Sequence, residues 1–219
     1  MLETYSPSGS PSLSSLRGLT VAWIGDSNNI LNDMIVSFAR LGINLRVATP
    51  KGYPLDEMVM QTARQGLSNE SQGGNATREV LQYFNTPEEA IKGADILVTD
   101  TWISMGQEAE KAQRLQDFKG YQITKALAEK GGANPDWKFM HCLPRKAEEV
   151  DDEVFYGERS LVFPEAENRK VSLLAGREWG EHCRESNVFC SYSGRSWLSS
   201  RRTSGGGRRR EDWSTGICT

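Results

Sequence analysis

Five short apolar runs, each followed by a polar turn, limit what this chain can fold into. They are Leu19 to Ile24, Leu45 to Ala48, Val80 to Phe84, Ala94 to Thr99 and Trp137 to Met140. Strands this apolar are the kind covered on both faces of a sheet. Between them, apolar residues recur at helical spacing: Leu31, Met34, Ile35, Phe38 and Leu41, with Gly42 as the expected stop. Asn28 or Asn29 is suited to cap that helix. Thr86 caps a later one, with Glu88 and Glu89 in its first turn, where the helix dipole favours acids. Another helix is expected from about Asp56 to Gln65, and two more fit between Gln107 and Lys130. Strands alternating with helices at this spacing predict an α/β fold: a doubly wound, Rossmann-like parallel sheet of about five strands with helices on both faces.

The pattern does not extend over the whole chain. Residues 1–15 are rich in Ser, Pro and Gly and read as a disordered arm or one that leads into the first strand. Residues 16–170 hold the patterned domain. Residues 171–219 show no sustained period and read as a divergent, disordered tail. Charge divides at the same place: the net −3 combines eight Arg and five acids in 171–219 with 18 bases and 24 acids in 1–170. The basic tail does not interleave aromatic and basic residues, so no nucleic-acid partner is expected. No apolar run reaches membrane-spanning length. The N-terminus carries Glu3, has no base before Arg17 and shows no recognisable transit peptide. Four Cys without a CxxC pair, and two His far apart, argue against a metal site or a disulfide framework.

Polar and reactive groups gather where three strands end. The first strand runs into Gly25-Asp26-Ser27-Asn28-Asn29. The fourth runs into Asp100-Thr101-Trp102-Ile103-Ser104-Met105-Gly106, and the fifth into His141-Cys142-Leu143-Pro144. In a parallel sheet all three turns lie on one rim, the place where such sheets hold ligands. The first turn lacks the second and third glycines of a dinucleotide fingerprint, so no nucleotide cofactor is expected. Gly106 lets the backbone approach a ligand closely. Pro144, without an N–H, ends sheet pairing after Cys142.

The strings Asp100-Thr101-Trp102-Ile103-Ser104-Met105-Gly106-Gln107-Glu108 and His141-Cys142-Leu143-Pro144-Arg145 resemble those of the ornithine carbamoyltransferases, in particular the mitochondrial form of animals. Asp151 to Tyr156 and Arg159 to Lys170 extend the resemblance, which covers about Ser15 to Lys170. Cys142 after His141 separates this pattern from the aspartate carbamoyltransferases, which have Pro there. The resemblance implies transfer of a carbamoyl group from carbamoyl phosphate to the δ-amine of L-ornithine, giving citrulline and phosphate, in arginine biosynthesis and the urea cycle. It implies no cofactor and no metal, and a mitochondrial matrix location. It assigns ornithine binding to Asn29, Asp100, Ser104 and Met105, and carbamoyl-phosphate contacts to Cys142, Leu143 and Arg169. It gives catalytic roles to Cys142, Asp100 and His141, with a Cys142 thiolate either accepting the amine's proton or orienting the amine. The family is typically a homotrimer.

Two family motifs are absent from these 219 residues: the Ser-Thr-Arg-Thr phosphate loop and the His-Pro-x-x-Gln motif. The expectation is therefore an incomplete chain, inactive alone. The alternative is a non-catalytic ornithine-binding or subunit-interaction fragment.

Overall fold

A computed structural model describes residues 1–6, 12–68, 80–103, 106 and 108–169. Five parallel strands form one sheet: β1 (Thr20–Ile24), β2 (Asn44–Ala48), β3 (Leu81–Phe84), β4 (Ile96–Thr99) and β5 (Lys138–His141), in the order β3-β2-β1-β4-β5. The direction of winding reverses between β1 and β4, which makes their C-terminal ends the switch point where such sheets open a crevice. Register places Trp23 beside Val98 and Thr99 beside His141. The turns after β1, β4 and β5 therefore leave the sheet at nearly one level.

Strand side chains alternate between two cores. Val21 and Trp23 enter one with Leu31, Ile35, Leu45, Val47, Ile96 and Val98. Ala22 and Ile24 enter the other with Ile91, Leu97, Phe118, Phe139 and Val154. The Asn29–Leu41 helix covers the first core with its Leu31, Met34 and Ile35 face. Asn28 caps it, Oδ1 accepting from the N–H groups of Ile30 (3.0 Å) and Leu31 (3.2 Å). Gly42, at φ 69°, closes it in the left-handed region that glycine tolerates. Thr86 caps the Pro87–Ile91 helix by accepting from Glu89 N–H. The two helices expected between 107 and 130 are Lys111–Asp117 and Lys125–Gly131.

Two expectations change. β5 ends one residue later than its apolar run, so His141 is a strand residue and not part of the turn. Within the stretch read as a disordered arm, Leu2–Tyr5 form a helical turn and Leu13–Leu16 a 3-10 turn. Tyr5 donates its hydroxyl to Asp95 O (3.1 Å), and Met1, Leu2 and Tyr5 pack on the core under the Asn29–Leu41 helix. Those apolar side chains are what a composition dominated by Ser and Pro obscures. The expected tail, 171–219, lies outside the described residues, as does most of the loop expected over 66–78.

At Gly131 the Lys125–Gly131 helix lies hard against the Pro87–Ile91 helix. A Cβ there would sit 2.8 Å from Ile91 Cγ2 and 3.3 Å from Glu88 O. Gly131→Ala is therefore expected to lower stability by about 1–3 kcal/mol through overpacking, although Ala is the better helix former by about 1 kcal/mol. Urea denaturation reads this directly; an equal or more stable variant would mean that the two helices can part at little cost.

Candidate functional site

Asp100, the first residue beyond β4, is buried. Its Oδ2 accepts from Asn28 Nδ2 at 2.9 Å, joining the β1 turn to the β4 turn. Its Oδ1 is buried and has no hydrogen-bond partner. A carboxylate oxygen in that state is an open acceptor, and leaving it so has a desolvation cost. Burial pushes the Asp100 carboxyl above the usual range, while hydrogen bonds from the Thr101 N–H and Asn28 pull it back.

His141 stands beside it, with Nδ1 4.0 Å from Asp100 Oδ1. Both imidazole nitrogens are engaged by the protein. Leu143 N–H donates to Nδ1 (3.0 Å), which makes Nδ1 an acceptor and puts the ring proton on Nε2. Nε2 then donates to Glu149 Oε2 at 3.1 Å. The ring thereby ties the β5 turn to Leu143 and to Glu149. Glu149, fully buried, also accepts from Trp102 N–H (3.1 Å) and Lys146 N–H (2.8 Å). One carboxylate thereby holds the β4 and β5 turns together.

A second tie comes from the Lys111–Asp117 helix. Arg114 Nη1 donates to Asp26 Oδ2 (2.9 Å) and to Trp102 O (2.7 Å), with both charged side chains almost buried. Trp102 is thus held at its N–H by Glu149 and at its carbonyl by Arg114, two residues before Ser104. Its ring stacks on Phe118 at 5.0 Å. Lys146 Nζ donates to Ile103 O at 2.9 Å, adding a third tie.

Cys142 is half-buried and follows β5 directly. With Ile30, Leu143, Glu165 and Arg169 it lines a cavity of about 820 Å³. Burial lifts its thiol above the ordinary value; Asp100 and Glu165 lift it further, and Arg169 opposes them. Leu143 is the only described non-glycine residue with positive φ (60°), a region costly for a side-chain-bearing residue. The bond it makes to Pro144 is cis.

The structure brings together Asp100, His141, Cys142, Leu143 and Arg169, the last on a helix spanning 162–169. Asn29 is exposed in the first helical turn, and it is Asn28 whose amide reaches Asp100. Ser104 and Met105 lie outside the described residues. Sequence reasoning missed Asn28 as Asp100's partner, and it missed Asp26, Arg114, Glu149 and Glu165. Arg114 had a usable signal: it lies four residues before Phe118, on the helix face that meets the core. Glu149 had none, being one of several acids in a row. Among the described residues, no cluster of three or more His, Cys, Asp or Glu side chains is placed to hold a metal ion.

An open parallel sheet in the order β3-β2-β1-β4-β5 places the chain among the doubly wound α/β proteins. The chain belongs to the aspartate/ornithine carbamoyltransferase family, through its Asp/Orn binding domain, whose profile matches residues 17–175. It is 51% identical over 178 residues to the mitochondrial ornithine carbamoyltransferase of Aspergillus niger, covering 80% of this chain and 47% of that protein. It is 54% identical over 159 residues to the mitochondrial enzyme of Aquarana catesbeiana, covering 73% and 43%. The crystal structure of a mitochondrial ornithine carbamoyltransferase from Coccidioides immitis superposes with a TM-score of 0.62 at 47% identity, over 70% of this chain and 45% of that one. The chain spans about half the length of the curated relatives it matches.

Proposed function

We propose that this chain is the ornithine-binding half of an ornithine carbamoyltransferase. The observation that carries the reading is the buried Asp100 Oδ1 without a partner, at the rim where the turns after β1, β4 and β5 converge. An α-ammonium group is the natural donor for it, and an ion pair of this kind is among the stronger hydrogen bonds. The Asn29 amide, exposed one residue beyond Asn28, receives the α-carboxylate, with Ser104 and Met105 completing the amino-acid clamp. The δ-amine then extends toward Cys142. As a thiol, Cys142 orients that amine; it does not take its proton. Arg169, with its planar fork, and the strained turn at Leu143 face the carbamoyl phosphate. The neutral amine attacks the carbamoyl carbon, the bond to the phosphate oxygen breaks, the proton the amine nitrogen sheds passes to the departing phosphate oxygen, and citrulline and phosphate leave. Mitochondrial location follows the names of the relatives.

Much of the rate of such a reaction comes from aligning two substrates. The phosphate-loop motif is not among these residues, so a citrulline assay of the pure chain is expected to read background. Titration calorimetry with L-ornithine tests the binding half. Asp100→Asn is expected to weaken ornithine by roughly tenfold or more, the loss of a hydrogen bond to a charged group at about 1.5–3 kcal/mol. An acid whose folded pKa is raised stabilises the fold less as pH climbs through that value. Removing the Asp100 charge at neutral pH should therefore not unfold the protein, and lost binding can be assigned to the site. Unchanged affinity in Asp100→Asn would end this reading. Binding without turnover also fits a non-catalytic ornithine-binding fragment, which the half-length match favours as the second reading; citrulline formation on adding the phosphate-binding half of a relative would decide against it.

A further inference from the structure

We propose that Glu165 is a positioning residue for the transfer described above, pinning the end of β5 to the 162–169 helix and placing a negative field on the Cys142 thiol. The inference rests on that functional reading but is tested without ornithine. β5 is an outer strand, and its free side is partly paired with the returning chain. Phe139 N–H donates to Arg159 O, and Leu161 N–H donates to Phe139 O, each at 2.8 Å. Two residues along, His141 N–H is the next group to point outward. The chain opposite has by then become helical, and its carbonyls are turned along the helix axis. Glu165 fills the gap: its Oε2 accepts from His141 N–H at 3.3 Å. The carboxylate thus takes the place of a strand carbonyl at the residue before Cys142.

The same side chain links the two halves of the cavity. Glu165 and Arg169 are four residues apart, on one helix face, and both line the cavity with Cys142 and Leu143. Fixing Glu165 to β5 therefore fixes where the guanidinium stands relative to the thiol. The ionisable groups around Glu165 are His141, Asp100, Cys142, Arg169 and the Met1 amino group. Glu165 is lifted above the ordinary carboxyl range by burial, and it in turn raises Cys142. The outer end of the helix is braced separately, by Asn168 donating to Glu3 Oε2 at 2.8 Å.

Glu165→Gln keeps an oxygen that can accept from His141 N–H and removes the charge. Iodoacetamide alkylation across pH, followed by mass spectrometry on the tryptic Phe139–Arg145 peptide, isolates Cys142 from the other three thiols. The midpoint is expected to move to lower pH, with the rate at pH 7.5 rising on the order of threefold as the thiolate fraction grows. Hydrogen exchange in the same peptide should stay at the parental level in Glu165→Gln and quicken by at least about tenfold in Glu165→Ala, where the acceptor is gone. A Glu165→Gln profile superimposable on the parent would overturn the field, and parental exchange in Glu165→Ala would overturn the pin. Should the Ala variant not fold, Glu165→Leu, which fills the space and also removes the acceptor, decides the pin by the same exchange measurement, while the Gln variant decides the field. Loss of ornithine binding on its own would touch only the functional reading.

Discussion

Replacing Glu149 with Ala is expected to remove about 3–5 kcal/mol of stability, because three buried donors lose their acceptor at once. Those donors are Trp102 N–H on Oε1, and Lys146 N–H and His141 Nε2 on Oε2. Glu149 itself has no surface exposed to water. Glu149→Gln should recover only part of the loss. Both oxygens of the carboxylate accept, so an amide must turn its NH2 toward an N–H on one side. In urea the midpoint should fall by roughly 2 M for the Ala variant, given a slope of about 2 kcal/mol/M. A shift under a quarter of that would mean that the β4 and β5 turns hold without the carboxylate. The loss should also reach the site, since freeing His141 frees the turn that carries Cys142.

Arg114→Met should cost a similar amount, about 3–5 kcal/mol, by leaving Asp26 buried without its counter-charge. Trp102 O loses a donor in the same step. Burial already pushes the Asp26 carboxyl above the ordinary range, with Arg114 pulling it back part of the way. Without the guanidinium the carboxyl rises further. The folded state then holds its proton more tightly than the unfolded one, so stability is retained at low pH and lost as pH climbs through the raised value. The penalty of Arg114→Met is therefore expected to be smaller at pH 5 than at pH 8. Adding Asp26→Asn removes the stranded charge and should return much of the loss. Denaturation at the two pH values checks both statements; an equal penalty at each pH would show that the cost lies in packing and not in charge.

These two ties explain why the rim is organised around Trp102. Its backbone groups are bound from opposite sides by residues 47 positions after it and 12 after it in sequence. The ornithine clamp proposed at Ser104 and Met105 begins two residues later. Rigidity at Trp102 next to a ligand loop is what a preorganised site needs. It also predicts that damage to either tie will appear first as weaker ligand binding, before the fold itself fails.

Much of the fold was legible because apolar alternation is a local signal. β1 placed Val21 and Trp23 in one core and Ala22 and Ile24 in the other, as a strand covered on both faces must. Capping is local too: Asn28, Thr86 and Gly42 act within four residues of themselves. Asp100 and Cys142 could be singled out because they directly follow strands, and a parallel sheet sends all strand ends to one rim. The partners of those residues were not legible. Asn28 meets Asp100 across 72 positions, and Arg114 meets Asp26 across 88. Whether an imidazole is free for chemistry or occupied at both nitrogens depends on groups that the chain brings in from elsewhere. The sequence by itself determined the sheet, its two cores and the rim where ligand groups would gather, since each follows from periodicity over a few residues. Only the tertiary structure decided which polar groups on that rim hold one another and which, like Asp100 Oδ1, remain open, because burial and hydrogen bonding are settled by distant contacts.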